Sequence, residues 1–131
     1  MRRMQQDKNK RVRKMAVSAT NHGFTIPAAF CQRAHVKKED IWEWVIAKSS
    51  GLLLVTPIDR SQPVEGEHLV KVQEMRLRRK QSDRVQFKLN LSVKLIRQCK
   101  LNVRKCRIEW VLAGEYLHGI IALSGENVLS E

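Results

Sequence analysis

The stretch Phe24-Thr25-Ile26-Pro27-Ala28-Ala29-Phe30-Cys31-Gln32-Arg33-Ala34-His35-Val36 decides the fold. Phe24 and Ile26 alternate at strand spacing, and Phe30 and Ala34 recur at helical spacing. Pro27 lacks the N–H that a central ladder needs, but it suits the first position of a helix. The stretch therefore reads as a strand, a proline, one compact helix and an exit.

Upstream, Met15, Val17 and Ala19 alternate, and Asn21-His22-Gly23 signals a turn, so Met15 to Ile26 predicts a β-hairpin. Downstream, Val36 to Asp40 is a polar corner. Ile41 to Ala47 is a strand, Ser49-Ser50-Gly51 a second turn, and Leu52 to Thr56 a buried strand ended by Pro57. This is a β-β-α-β-β unit.

A diverged copy follows. Val85, Phe87, Leu89 and Leu91 alternate with polar residues, Val93 to Cys99 reads as a helix, and strands follow at Ile108 to Leu112 and Gly119 to Leu123. Phe24, Ile26, Phe30, Ala34 and Val36 correspond without a gap to Leu89, Leu91, Leu95, Cys99 and Leu101. Trp42, Trp44 and Ile46 then correspond to Ile108, Trp110 and Leu112, and Gly51-Leu52-Leu53 to Gly119-Ile120-Ile121. The expected organisation is a basic arm at 1–14, a first unit at 15–58, a linker at 59–74, a second unit at 75–124 and a tail at 125–131. Within the second unit, a strand from about Met75, a turn at Gln81-Ser82-Asp83 and a return strand from Val85 are expected.

The first unit resembles the AbrB/MazE/SpoVT swapped-hairpin family of DNA-binding domains. The resemblance rests on Thr25-Ile26-Pro27, the helix Ala28 to Val36 and the corner Lys37-Lys38-Glu39-Asp40, within Met15 to Pro57. Cys31 stands where the family's helix usually carries arginine, and Arg33 is kept. The resemblance implies a mainly β fold with short helices, built as a swapped-hairpin β-barrel from two tandem units. It also implies a DNA-binding transcriptional regulator and a homodimer. Two other roles stand beside it: an antitoxin-type interaction protein with a toxin partner, and an architectural or RNA-binding protein that reads no sequence.

Charge supports a polyanionic partner independently. Against 13 acidic residues stand 25 Lys and Arg, a net charge of +12, which points first to nucleic acid. The expected phosphate contacts are Arg3, Lys10, Arg11, Arg13 and Lys14 of the arm, and Arg33 of the helix. To these are added Arg76, Arg78, Lys80, Arg84 and Lys88 of the second hairpin, then Lys94 and Arg97. On the expected hairpin, Met75 and Leu77 face inward, Arg76, Arg78 and Lys80 share the outer face, and Arg84 and Lys88 add to the same region. Such contacts set affinity and salt dependence rather than sequence choice.

Other chemistries find little footing. His22, His35, His68 and His118 show no ligand spacing, and Cys31, Cys99 and Cys106 form no close pair, so neither a metal site nor a disulfide framework is expected. No nucleophile–base order, paired carboxylates or phosphate-loop glycines suggest an enzyme, and no cofactor is implied. Trp42, Trp44 and Trp110 are expected in the core or at a subunit interface rather than as stacking platforms. No apolar run approaches the roughly 20 residues of a membrane span, and the N-terminus lacks a signal-peptide segment. The expected setting is cytoplasmic, associated with the nucleoid.

Overall fold

In the computed structural model, residues 11–59, 61, 64–79 and 82–129 are described, with the backbone alone at 77–79 and 82–84. The strands are β1 (Val12–Ser18), β2 (Gly23–Ile26), β3 (Ile41–Ala47), β4 (Leu52–Pro57), β5 (Leu69–Lys71), β6 (Gln73–Arg79), β7 (Ser82–Asn90), β8 (Arg107–Ala113) and β9 (Tyr116–Ala122). The helices are α1 (Ala28–Ala34) and α2 (Val93–Cys99). A six-stranded antiparallel sheet runs β1-β8-β9-β4-β3-β5, and a three-stranded one runs β2-β7-β6.

The two helices follow their strands for matching reasons. Pro27 stands before α1 in an extended conformation, and Ser92 stands before α2, its hydroxyl accepting from the Leu95 N–H at 3.1 Å. Both helices end on a left-handed residue, His35 (φ 56°) and Lys100 (φ 53°). In each case the next N–H reaches back over the last turn, Val36 to the Cys31 carbonyl and Leu101 to the Ile96 carbonyl, both at 3.0 Å. These bonds satisfy carbonyls that a helix end leaves open.

The halves exchange strands. β1 pairs with β8, β2 with β7, and β5 with β3. The hydrogen bonds repeat from one half to the other. Ala19 N–H donates to the Cys106 carbonyl at 3.0 Å, and Val72 N–H to the Asp40 carbonyl at 2.8 Å. Phe24 sits opposite its own counterpart Leu89. The core lies between the sheets, where Phe24, Ile26, Trp42, Leu53, Val55, Leu89, Leu95, Ile108, Trp110 and Ile121 are buried. Trp42 meets Trp110 edge-on, with ring centroids 6.2 Å apart, and Phe24 meets Trp44 at 6.3 Å. The tryptophans are thus core residues and offer no exposed stacking surface.

Several expectations give way. Met15 to Ile26 is not a hairpin, because β1 and β2 enter different sheets and meet only at a bridge between Thr20 and Gly23. The sheets stay open among the described residues and no barrel closes, since β1 and β5 each have one neighbour. The arm is shorter than 1–14, because Val12, Arg13 and Lys14 already pair with β8. The stretch 59–74 is more than a linker: it holds β5 and the start of β6, with His68 and Val72 buried. Ser82 and Asp83 belong to β7 rather than to a turn. The tail folds back instead of trailing. Leu101 bridges Val128, and the Asn127 side chain accepts from the Arg107 N–H and donates to the Ala122 carbonyl.

The repeat also shifts near its end. The β3–β4 turn pairs Ala47 with Leu52, while the shorter β8–β9 turn pairs Ala113 with Tyr116. Structural equivalence therefore puts Leu52 with Tyr116 and Val55 with Gly119, not Leu52 with Ile120. Val55 lies directly opposite Gly119 in the β4–β9 ladder. A Cβ on Gly119 would come within 2.8 Å of Val55 Cγ1 and 2.5 Å of Ile108 Cδ1, so this position takes no side chain.

Candidate nucleic-acid interface

The connection between the first two paired strands differs most between the halves. In the first half, three residues separate Ala19 from Gly23. Asn21 and His22 both adopt positive φ, and Thr20 and Gly23 exchange both backbone hydrogen bonds, which makes a tight two-residue turn. In the second half, fifteen residues separate the equivalent Val72 and Lys88. They form the β6–β7 hairpin, whose register runs from Gln73 opposite Lys88 to Arg79 opposite Ser82.

β2 covers β7 only as far as Phe87, opposite Ile26. Five further residue pairs, Met75–Gln86 to Arg79–Ser82, have no third strand beside them among the described residues. The hairpin is therefore a two-stranded ribbon reaching about 17 Å past the sheet at ~3.4 Å per residue. Arg76, Arg78, Arg79 and Arg84 lie on it. Lys80 lies outside the described residues.

Register divides this charge. Antiparallel partners share a face, so Glu74, Arg76 and Arg78 go with Phe87, Val85 and Asp83. Met75, Leu77 and Arg79 go with Gln86, Arg84 and Ser82. The expected inward place of Met75 does not hold, because it is 36% exposed. The register puts Arg84 and Lys88 on the face opposite Arg76 and Arg78. Met75 on one face and Arg76 and Val85 on the other are all exposed, so alternation there does not mark an inside.

Lys88 is a further correction: it is only 6% exposed. It lies at the ribbon's root, between Thr25 of β2 and Gln73 of β6. Its Cε lies 2.5 Å from where a Gly23 side chain would begin, so the missing side chain makes room for the lysine stem. Burial withdraws Lys88 from the surface where the other basic residues of the hairpin are expected to meet phosphate. Arg76 is 74% exposed and has Glu74 3.5 Å away, an exposed pair that holds the guanidinium only weakly.

The remaining predicted residues are spread over the molecule. Arg11, Arg13 and Lys14 are exposed at the free edge of the larger sheet, while Arg3 and Lys10 lie outside the described residues. Arg33 is exposed on α1, and Lys94 and Arg97 on α2. Sequence reasoning passed over Arg79, although it stands within the run Arg76 to Lys80 that drew attention to the hairpin.

Thiol chemistry is subdued. Burial pushes the Cys31 thiol up to about 12 and Cys106 to about 11, and raises Cys99. Thiolates, the reactive form, are therefore scarce. Among the described residues no three His, Cys, Asp or Glu side chains gather as a metal site, and no helix is long and apolar enough to cross a membrane. No protein-family model, curated protein or solved structure matches the chain.

Proposed function

We propose that the chain is a DNA-binding protein of AbrB-like, swapped-hairpin type that regulates transcription, contacting phosphates through its basic β-hairpin and the basic start of β1. The observation that carries this reading is the ribbon. A two-stranded β element is narrow enough to enter a major groove about 12 Å wide, and this one bears Arg76, Arg78, Arg79 and Arg84 in an eighteen-residue segment from Gln73 to Asn90. The exchange of strands between the halves supports the family likeness, and so does the strand-Pro-helix joint at Ile26 to Ala28.

The ribbon replaces the two-residue turn of the first half. The two halves therefore present different surfaces: a short turn at Asn21-His22 and a long cationic arm. Arginine supplies both phosphate binding and bidentate contacts to guanine edges. The arm can thus position the protein and read bases at once.

Selection from a random-duplex library tests the reading. Enrichment of one sequence at physiological salt is the expected result. Binding that is steeply salt-dependent but enriches no sequence would assign the ribbon to charge-driven, architectural binding instead.

A further inference from the structure

The larger sheet packs on the core through one face only. Trp42, Trp44, Leu53, Val55, Trp110 and Ile121 belong to that face, and α1 and α2 pack on the same side through Phe30 and Leu95. Their neighbours along each strand point the other way. Register joins Ala16, Glu109, Ile120, Leu54 and Val45 into one row across β1, β8, β9, β4 and β3. Ala47, Leu52 and Ala122 stand on one side of this row, and Lys14, Val111 and His118 on the other.

A sheet with one solvated face normally alternates apolar inward with polar outward. This outer face departs from that pattern. Leu52, Leu54, Val111 and Ile120 fill its middle and lie outside the core cluster. Val45 is 42% exposed and Tyr116 is 52% exposed. A recess bordered by Ala16, Glu109, Ile120 and Ala122 opens on it. A continuous apolar face of this kind marks an interaction surface.

Charge and area select the occupant. The strands of this face carry Lys14, Lys71 and Arg107 against Glu43 and Glu109. Lys48 and Glu67 border it, sharing a recess with Glu43 and Val45. The face is therefore close to neutral in a chain of net charge +12. Two copies repel each other through most of their surface, and least here. Five strands of six or seven residues span about 24 Å by 24 Å at ~4.8 Å between strands and ~3.4 Å per residue. Two such faces bury about 1,100 Å² in total, just above the roughly 1,000 Å² that a specific interface needs.

We propose that two copies of this chain pair through the outer face of the larger sheet, packed sheet on sheet about 10 Å apart. The pairing is isologous, so the carboxylates at the rim of one copy can meet the cations of the other. Strand exchange is already satisfied within one chain, and the pairing uses a surface that the exchange leaves free. Pairing through the β1 edge is disfavoured, because it would bring Arg11, Arg13 and Lys14 of both copies onto one ladder. The inference does not rest on the nucleic-acid reading, since the ribbon belongs to the smaller sheet.

Sedimentation equilibrium of the full chain, free of nucleic acid and at about 0.5 M salt to screen the remaining repulsion, tests this. With increasing concentration the mass should rise from 15.2 kDa toward twice that value. An interface of this size should give a Kd of about 1–100 µM. Val45→Lys and Leu54→Lys each place two added charges in the interface and should weaken pairing at least about tenfold. Val93→Lys adds the same charge on α2, where Val93 is 63% exposed, and should leave the Kd unchanged. All three variants should keep the wild-type circular dichroism spectrum. Should Leu54→Lys unfold the chain, Val45→Lys decides, because Val45 is already exposed. Pairing that Val45→Lys and Val93→Lys change alike, or assembly beyond a dimer, would overturn the proposal. A 15.2 kDa species at every concentration would overturn it too and leave the face to a different protein.

Discussion

The indole N–H of Trp110 donates to the carbonyl of Thr25 at 3.0 Å, across 85 residues of chain. Trp44 makes the equivalent bond to Asn90 at 3.1 Å. Thr25 and Asn90 occupy matching places in the two halves, as Trp44 and Trp110 do. Trp44 thus holds β7 and Trp110 holds β2, each bonding a strand that the other half contributes to the smaller sheet. The two halves are tied together twice by the same contact.

Replacing either tryptophan should therefore cost similar amounts. Trp44→Phe and Trp110→Phe each remove ring volume and strand a carbonyl, for an expected loss of about 2–4 kcal/mol. Urea unfolding with a single transition for both variants would support the paired role. A large loss for one variant and none for the other would show that the halves are held unequally.

Thiol accessibility follows from burial. Cys31 and Cys106 are buried with raised pKa values, and Cys99 is half-buried. With an aromatic disulfide reagent at pH 8, at most Cys99 should react in the native protein, and all three should react in denaturant. Rapid native reaction of Cys31 would show that the packing around α1 opens widely.

His118 gives a pH dependence of defined sign. Desolvation lowers its pKa from the ordinary 6.5, and its Nδ1 is buried without a hydrogen-bond partner. The unfolded chain therefore binds a proton more readily than the folded one. Stability at this site is intact above pH 6.5 and is lost as pH falls through the unfolded value toward the lower folded one. His118→Gln should flatten the stability profile between pH 7 and pH 5 relative to wild type. A variant that loses stability as steeply as wild type would place the acid sensitivity elsewhere.

The elements legible in the sequence are those buried on one face with a punctuating residue. The Phe24 to Val36 joint, α2 behind Ser92 and the tryptophan strands all have a core that fixes their parity. The ribbon has none. Met75 and Arg76 alternate there without an inside, so period alone misassigned their faces. β5 was missed because three residues between charged neighbours carry too little period to see. The last strand was aligned on Gly51 and Gly119, which look alike in sequence, although turn length rather than glycine sets the register. Lys88 read as a surface cation because nothing local reveals that Gly23 leaves room for its stem.

The central claim is that the ribbon is the polyanion-binding element, and its salt dependence tests this most directly. Fluorescence anisotropy on a labelled duplex across a salt series compares wild type with the triple variant Arg76→Ala, Arg78→Ala, Arg84→Ala. If each arginine holds one phosphate, the slope of log K against log salt should shrink by about 2.7, at roughly 0.9 per contact. Circular dichroism should stay unchanged, because the ribbon lies outside the core. An unchanged slope and affinity in a folded triple variant would contradict the account and move the interface away from the hairpin.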